Sequence, residues 1–308
     1  MPSERERLTQ IKGNLQRRSQ LIAIVRHFFE QRGFLEVETP IRVPSIAPEL
    51  NITAQQSDDW YLITSPELHM KRLLAAGYGP IFQVSRCFRK GEQGRLHNPE
   101  FNLLEWYRPD SDYTEVIHDV EQLIAEIATA FQSSPFLTYQ GTTVDISPPW
   151  PRLSIREAFR ALAGWDPTES YNAERFDNDM ALKVLPALDT RRPLVLNEYP
   201  APAASLARLK YGEPALAERA EVYIGGMELA NAYSELTDVS EQRQRFKKEI
   251  AQIELEQGKK LPLAESFLEA LNYLPECSGI ALGLDRLVML FCNATHIEEI
   301  WAFSEENI

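Results

Sequence analysis

The stretch Phe88–Arg108, FRKGEQGRLHNPEFNLLEWYR, constrains this chain more than any other. Ile81–Phe88 ahead of it has strand character. From Phe101 onward a period of two puts Phe101, Leu103, Glu105 and Tyr107 on one side and Asn102, Leu104, Trp106 and Arg108 on the other. The two strands predict a hairpin whose loop, Arg89–Asn98, holds three Arg/Lys, one Glu, two Gly and His97. Those side chains suit phosphate, although a solvated charged tip would use the same types. Glu105 is harder to place blandly, because an acid between Leu103 and Tyr107 on an apolar face needs a partner.

The other elements follow from pattern. Leu21, Ile22, Val25, Phe28 and Phe29 recur at helical spacing, with Gly33 as the stop, and Phe34–Pro40 reads as an edge strand. After irregular residues 41–60, a strand over Trp60–Thr64 precedes Ser65-Pro66-Glu67, read as N-cap, first-turn proline and first-turn acid of a helix with Met70, Leu73 and Leu74 inward. Tyr113–Phe131 is an amphipathic helix, 132–151 a connector, and Ser154 with Glu157 a capping box for a helix ended by Gly164. Residues 165–192 carry little periodicity. Leu194–Tyr199 resumes strand character, and Ser240–Gly258 is a charged helix with Phe246, Ile250 and Ile253 as its buried stripe.

Two further stretches carry chemistry. In EVYIGGMELANAYSELTD, Glu221 and Tyr223 share a strand face, as do Asn231, Tyr233 and Glu235; Gly225-Gly226 permits a bulge or sharp turn, which decides whether Glu228 joins the face of Glu221. In SGIALGLDRLVML, Gly279, Ala281 and Gly283 leave one strand face bare, and Arg286 stands in the first turn of the next helix, where a cation needs an anion. That anion is phosphate or, on a plainer reading, Asp285 or a distant carboxylate. Acids and aromatics together suit a substrate with ammonium groups, and Glu221 with Glu228 could hold magnesium at nucleotide phosphates.

Composition narrows the field. With 308 residues, 44% of them apolar, the chain can bury one large core or two small ones. A net charge of −13 argues against a broad nucleic-acid surface. The first twenty residues, with Arg5, Arg7, Lys12, Arg17 and Arg18, predict a solvated basic helix face or a contact for an acidic partner. No run approaches the roughly twenty apolar residues of a membrane helix, and MPSERERLTQ has no signal-peptide core, so the expectation is a cytoplasmic protein with no membrane partner. Cys87, Cys277 and Cys292 are expected as reduced thiols. Walker A, dinucleotide, HExxH and nucleophile-elbow motifs are missing from the sequence.

In this order the stretches resemble motif 2, the penultimate strand and motif 3 of class II aminoacyl-tRNA synthetases, and GFLEVETP resembles motif 1 with Pro40 as its proline. TSPELHMKRLL, HNPEF…LEWY, GGMELANAYSELTD and GLDRL are similar to the lysyl-tRNA synthetase core, from about Leu15 to the C-terminus and weakly over 132–192. The chain begins about at that core, without room for an anticodon-binding domain. That, with HNPEF…LEWYRP and CSGIALGLDRLVML, resembles the elongation factor P–(R)-β-lysine ligase family.

The resemblance implies an α+β fold, one catalytic domain of antiparallel sheet flanked by helices, with a variable insertion around 132–192. It implies ATP and Mg2+, activation of (R)-β-lysine or lysine as an adenylate, transfer to a lysine of elongation factor P, and a homodimer; tRNA is not an expected partner. Arg89 and Arg286 would hold the α- and γ-phosphates as catalytic groups, Phe101 would stack on adenine, and Glu92, His97, Asn98, Glu228, Leu229 and Gly283 would complete the ATP site. Glu221 and Glu228 would hold the metal. Ser65, Glu67, Glu105, Tyr107, Asn231, Tyr233, Glu235 and Ala281 would form the amino-acid pocket. Two positions depart from the synthetase pattern: Arg-Asn-Glu is replaced by Arg89-Lys90-Gly91-Glu92, and Ala281 stands where lysyl-tRNA synthetases have glycine. A minimal tRNA-acylating enzyme and a non-catalytic paralogue are the rival expectations.

Overall fold

Ser3 and Glu6 form a reciprocal capping box that starts the first helix, Glu4–Gln31, in a computed structural model that describes residues 3–305. The helix extends well ahead of the apolar stripe at Leu21, and its basic half is not simply solvated. Arg7 Nη2 donates to the Ala302 carbonyl at 2.5 Å, Asn14 Nδ2 to that of Glu299 at 3.0 Å, and Arg17 Nη1 to that of Phe291 at 3.4 Å. Backbone carbonyls late in the chain thus take up donors that composition alone would send to water. Further along, Phe29 stacks on Phe82 at 4.8 Å and meets Trp106 at 5.0 Å.

The described residues divide into two units. The first holds residues up to Pro109 with Thr237–Glu276 and those from Gly283 on; the second holds Asp110–Leu236 with Cys277–Leu282. In the first, Leu35–Glu36 lies parallel on Ile81–Phe88, which pairs antiparallel with Glu100–Pro109 so that Gln83 faces Glu105 and Cys87 faces Phe101. Arg42–Val43, Trp60–Leu62 and Gln56–Ser57 form a small separate sheet. The helices Glu67–Ala75, Val239–Gln257, Glu265–Ala270 and Leu284–Cys292 complete the unit.

In the second unit Glu213–Ile224 and Met227–Ser234 form a hairpin across Gly225-Gly226. Both glycines have positive φ, 60° and 79°, as a type I′ turn requires. Met227–Ser234 also pairs with Cys277–Gly283, and Glu213–Ile224 with Leu194–Pro200, which runs parallel to Arg152–Ser154. The helix Tyr113–Gln132, capped by Asp112, packs on the hairpin. Ser154 and Glu157 form the expected capping box. The expected connector over 132–151 instead contains a hairpin, Phe136–Tyr139 with Thr142–Asp145, because Gln140-Gly141 takes the left-handed turn, φ 48° and 80°. Residues 165–192 are also ordered. Phe176 stacks on Phe159 at 4.8 Å, and with Met180, Val184, Tyr199 and Tyr223 they build a core.

Antiparallel pairing with flanking helices is the α+β class read from the sequence. Among the described residues no helix is long and apolar enough to cross a membrane, and Cys87, Cys277 and Cys292 are free thiols.

Candidate active site

The loop that opens the first strand pair is tied down by its own backbone. Arg89 N donates to Pro99 O at 2.9 Å, Lys90 N to Thr53 O at 2.7 Å, and Gly94 and His97 exchange hydrogen bonds of 3.1 and 3.2 Å. The Arg89 guanidinium lies 5.0 Å over the Phe101 ring, and its Nε is buried without a hydrogen-bond partner. Glu92, expected in the ATP site, lies 3.7 Å from Arg89. Asn98 is 8% exposed and serves the loop, its Nδ2 donating to Glu100 O at 2.6 Å.

Gly283 ends one element and the helix Leu284–Cys292 begins the next, with Arg286 in its first turn. Arg286 Nη2 lies 2.6 Å from His97 Nε2. Burial, and then the Arg286 charge, lower the His97 pKa, so the ring is neutral near pH 7 and accepts from the guanidinium. Asp285 does not play the part of a simple neighbouring partner for Arg286. Its carboxylate accepts from Asn102 N at 2.8 Å and Asn102 Nδ2 at 3.3 Å, and pairs with Arg18 at 2.6 Å. The strand, the late helix and the first helix are thereby locked together. A Cβ at Gly283 would meet Arg286 Cδ at 3.4 Å, an ordinary van der Waals contact, so Arg286 alone does not demand glycine there.

The first unit also holds three of the expected acid-pocket residues in buried positions. Glu105 is 1% exposed and accepts from Tyr107 OH at 3.0 Å. Glu67 lies on the first turn of its helix, where Ser65 Oγ accepts from its backbone N–H at 3.2 Å. Its carboxylate is met by Lys71 Nζ at 2.5 Å, a lysine 1% exposed. Lys71 was missed from sequence, although the i,i+4 spacing to Glu67 is a readable signal.

The second unit carries the remaining candidates. Across its strands Ala281 faces Asn231, and Asn231 faces Glu221; in the next row Gly279 faces Tyr233, and Tyr233 faces Arg219. The parity of Glu228 is settled by a bulge at Leu229, not by the glycine turn. Val222 faces Ala230, but Tyr223 faces Glu228, which brings Glu228 to the side of Glu221. Leu229 itself is buried, 2% exposed. Glu221 Oε1 accepts from Arg219 Nη2 at 2.6 Å and Asn231 Nδ2 at 3.4 Å, and its Oε2 from Tyr223 OH at 2.6 Å. Burial, Glu221 and Glu228 hold the Tyr223 hydroxyl far above its ordinary pKa, so it remains a donor. Glu235, 1% exposed, is anchored through its backbone to Cys277 O at 2.9 Å.

These residues fit a hard cation. Glu221 and Glu228 present carboxylates on one side, and the Asn231 Oδ1 beside them is a buried oxygen without a hydrogen-bond partner. Among the described residues no group of three or more His, Cys, Asp or Glu is arranged to enclose a metal. Magnesium held here would keep several waters and take the two carboxylates together with phosphate.

Comparison with known proteins gives the ancestry of this arrangement. The family model of tRNA synthetases class II (D, K and N) matches residues 5–307. The elongation factor P–(R)-β-lysine ligase of Pectobacterium atrosepticum is 40% identical over 95% of both chains, that of Pectobacterium carotovorum 39% over 95% of both, and that of Proteus mirabilis 38% over 94% of both. Such similarity, sustained along nearly the entire length, makes this chain a member of the elongation factor P–(R)-β-lysine ligase family, within the class II tRNA synthetases.

Proposed function

We propose that the protein is an ATP-dependent ligase that activates (R)-β-lysine, or lysine, as an aminoacyl-adenylate and transfers it to a lysine side chain of elongation factor P. The observation that carries this reading is the Arg286–His97 contact at the start of the late helix, beside a loop whose Arg89 lies over Phe101. Two arginines with an aromatic platform are what a nucleoside triphosphate needs, and relatives whose names specify this ligation match 95% of the chain. The single family match over both units supports one catalytic domain.

The substrate carboxylate would attack the α-phosphate in line, with Arg89 countering the charge that develops there and Arg286 holding the γ-phosphate. Glu221 and Glu228 would hold magnesium, whose charge offsets that of the departing pyrophosphate. Glu67, Glu105, Tyr107, Asn231, Tyr233 and Glu235 would receive the ammonium groups. The mixed anhydride would then acylate the acceptor amine, the amide bond forming as the acyl–phosphate bond breaks and AMP and a proton leave, so no side-chain nucleophile is required. Ala281, directly across from Asn231, adds a methyl that would favour β-lysine, whose amino group is displaced by one carbon.

Intact-mass analysis of elongation factor P after incubation with the protein, ATP and either lysine isomer tests the assignment. A gain of one lysyl residue with the β-isomer is expected, and no gain with either isomer would remove the acceptor. Transfer of labelled lysine to tRNA in its place would favour a tRNA-acylating enzyme.

A further inference from the structure

Beside Glu221 stands a cation that is fixed from several directions. Arg219 Nη2 holds Glu221 Oε1 at 2.6 Å while Nη1 donates to the Ala203 carbonyl at 2.7 Å. Its guanidinium carbon lies 4.4 Å from the Tyr199 ring centroid and 5.8 Å from that of Tyr233. Tyr199 is 2% exposed and belongs to the core made with Phe176 and Met180, so this ring cannot yield. Asp177, on the helix Ala173–Asp179, is a second carboxylate in electrostatic reach of the guanidinium. Rotating Arg219 away from Glu221 would cost the stacking and the carbonyl bond together, and arginine does not deprotonate in proteins.

We propose that Arg219 makes metal binding at Glu221 and Glu228 conditional on nucleotide: a permanent counter-cation that keeps the bare ion off these acids and admits it when it arrives on ATP. The inference rests on the assignment of the two acids to magnesium given above. Charge acts in opposite senses on the two species. Two carboxylates alone attract a bare dication strongly and repel the net-negative metal–ATP chelate; a fixed positive charge on Glu221 weakens that attraction and that repulsion at once. It also occupies one approach to Oε1, and magnesium gives up water reluctantly. The positioning role of Arg219 is therefore to choose which form of the metal the acids accept.

The test counts free Mn2+ by electron paramagnetic resonance with the full chain and no nucleotide. Wild-type protein should leave Mn2+ free where Arg219→Gln, which keeps a donor but loses the charge, binds about one equivalent with an affinity gain on the order of tenfold or more. Arg219→Lys should restore weak binding, and Arg219→Met replaces the glutamine variant if that one fails to fold, as judged by thermal melting. With a non-hydrolysable ATP analogue the order should reverse, the wild type retaining the metal–nucleotide complex better. A folded Arg219→Gln protein that binds bare Mn2+ no better than wild type overturns the proposal, and so does Arg219→Lys behaving like Arg219→Gln. The underlying assignment is judged separately. If neither Glu221→Gln nor Glu228→Gln changes Mn2+ retention with the analogue, the metal reading fails; if they do and Arg219→Gln has no effect, only the role of Arg219 falls.

Discussion

Glu67 and Glu221 are both enclosed carboxylates with a cation close by, and the two cations differ in kind. Glu67 faces Lys71, one helical turn on, an ammonium at the end of a flexible stem. Glu221 faces Arg219, two residues away on the same strand, a planar fork held by a carbonyl and two rings. A lysine ammonium can turn and share its acid with an arriving amine, whereas a clamped guanidinium cannot. One acid is thus arranged to exchange its partner and the other to keep it. On the proposed function that division matches an ammonium-binding role for Glu67 and a metal-side role for Glu221.

The contrast can be broken in several places. The largest effect is expected from Lys71→Met, which strands Glu67 and should lower unfolding free energy by about 3 kcal/mol in urea titrations. Adding Glu67→Gln should recover most of that loss, and a single-variant cost near zero would show that Lys71 is not what holds the acid. Glu67→Gln alone should raise KM for the diamino acid roughly 10- to 100-fold in pyrophosphate exchange while leaving KM for ATP unchanged. Equal rises in both constants would erase the distinction between the two acids.

Ala281→Gly, in the row of Asn231 and Glu221, should shift preference toward α-lysine by about tenfold. The readout is exchange measured with each isomer, and an unchanged ratio would remove the methyl as a selector. The smallest effect concerns His97. Its folded pKa is depressed, so its contribution to stability is fully present above the ordinary value of about 6.5 and is lost as pH falls through the lowered one. Thermal melts of the wild type should therefore lose slightly more between pH 7.5 and 5 than those of His97→Gln, and identical slopes would dismiss the neutral ring as a partner that matters to Arg286.

What could be read in advance was local. The alternation from Phe101 to Arg108 places Glu105 on a buried face, and the Ser154–Glu157 box is a spacing signal. Pairings made at a distance were not legible. Arg219 owes its fixed position to Ala203 and Tyr199, which arrive on other segments, and nothing in EVYIGG announces them. Glu228 was undecided because a bulge at Leu229, an irregularity in backbone pairing, set its side. The hairpin over 136–145 was hidden by a polar composition that turn geometry at Gln140-Gly141 overrides. Lys71 is hard to single out from sequence because lysine is seldom enclosed unless paired.

Asp285 has a consequence for the order in which the chain can be completed. Its carboxylate joins Arg18 and Asn102, residues made early, to a helix made near the end. Between Pro109 and the next segment of the first unit the ribosome adds roughly 130 residues, a delay on the order of ten seconds at ordinary elongation rates. Throughout that interval the early hairpin waits without Asp285, while the Asp110–Leu236 segment is being made. The first unit, which carries Arg89 and Arg286, can therefore close only after synthesis has nearly ended, and its incomplete form is the species a chaperone would meet.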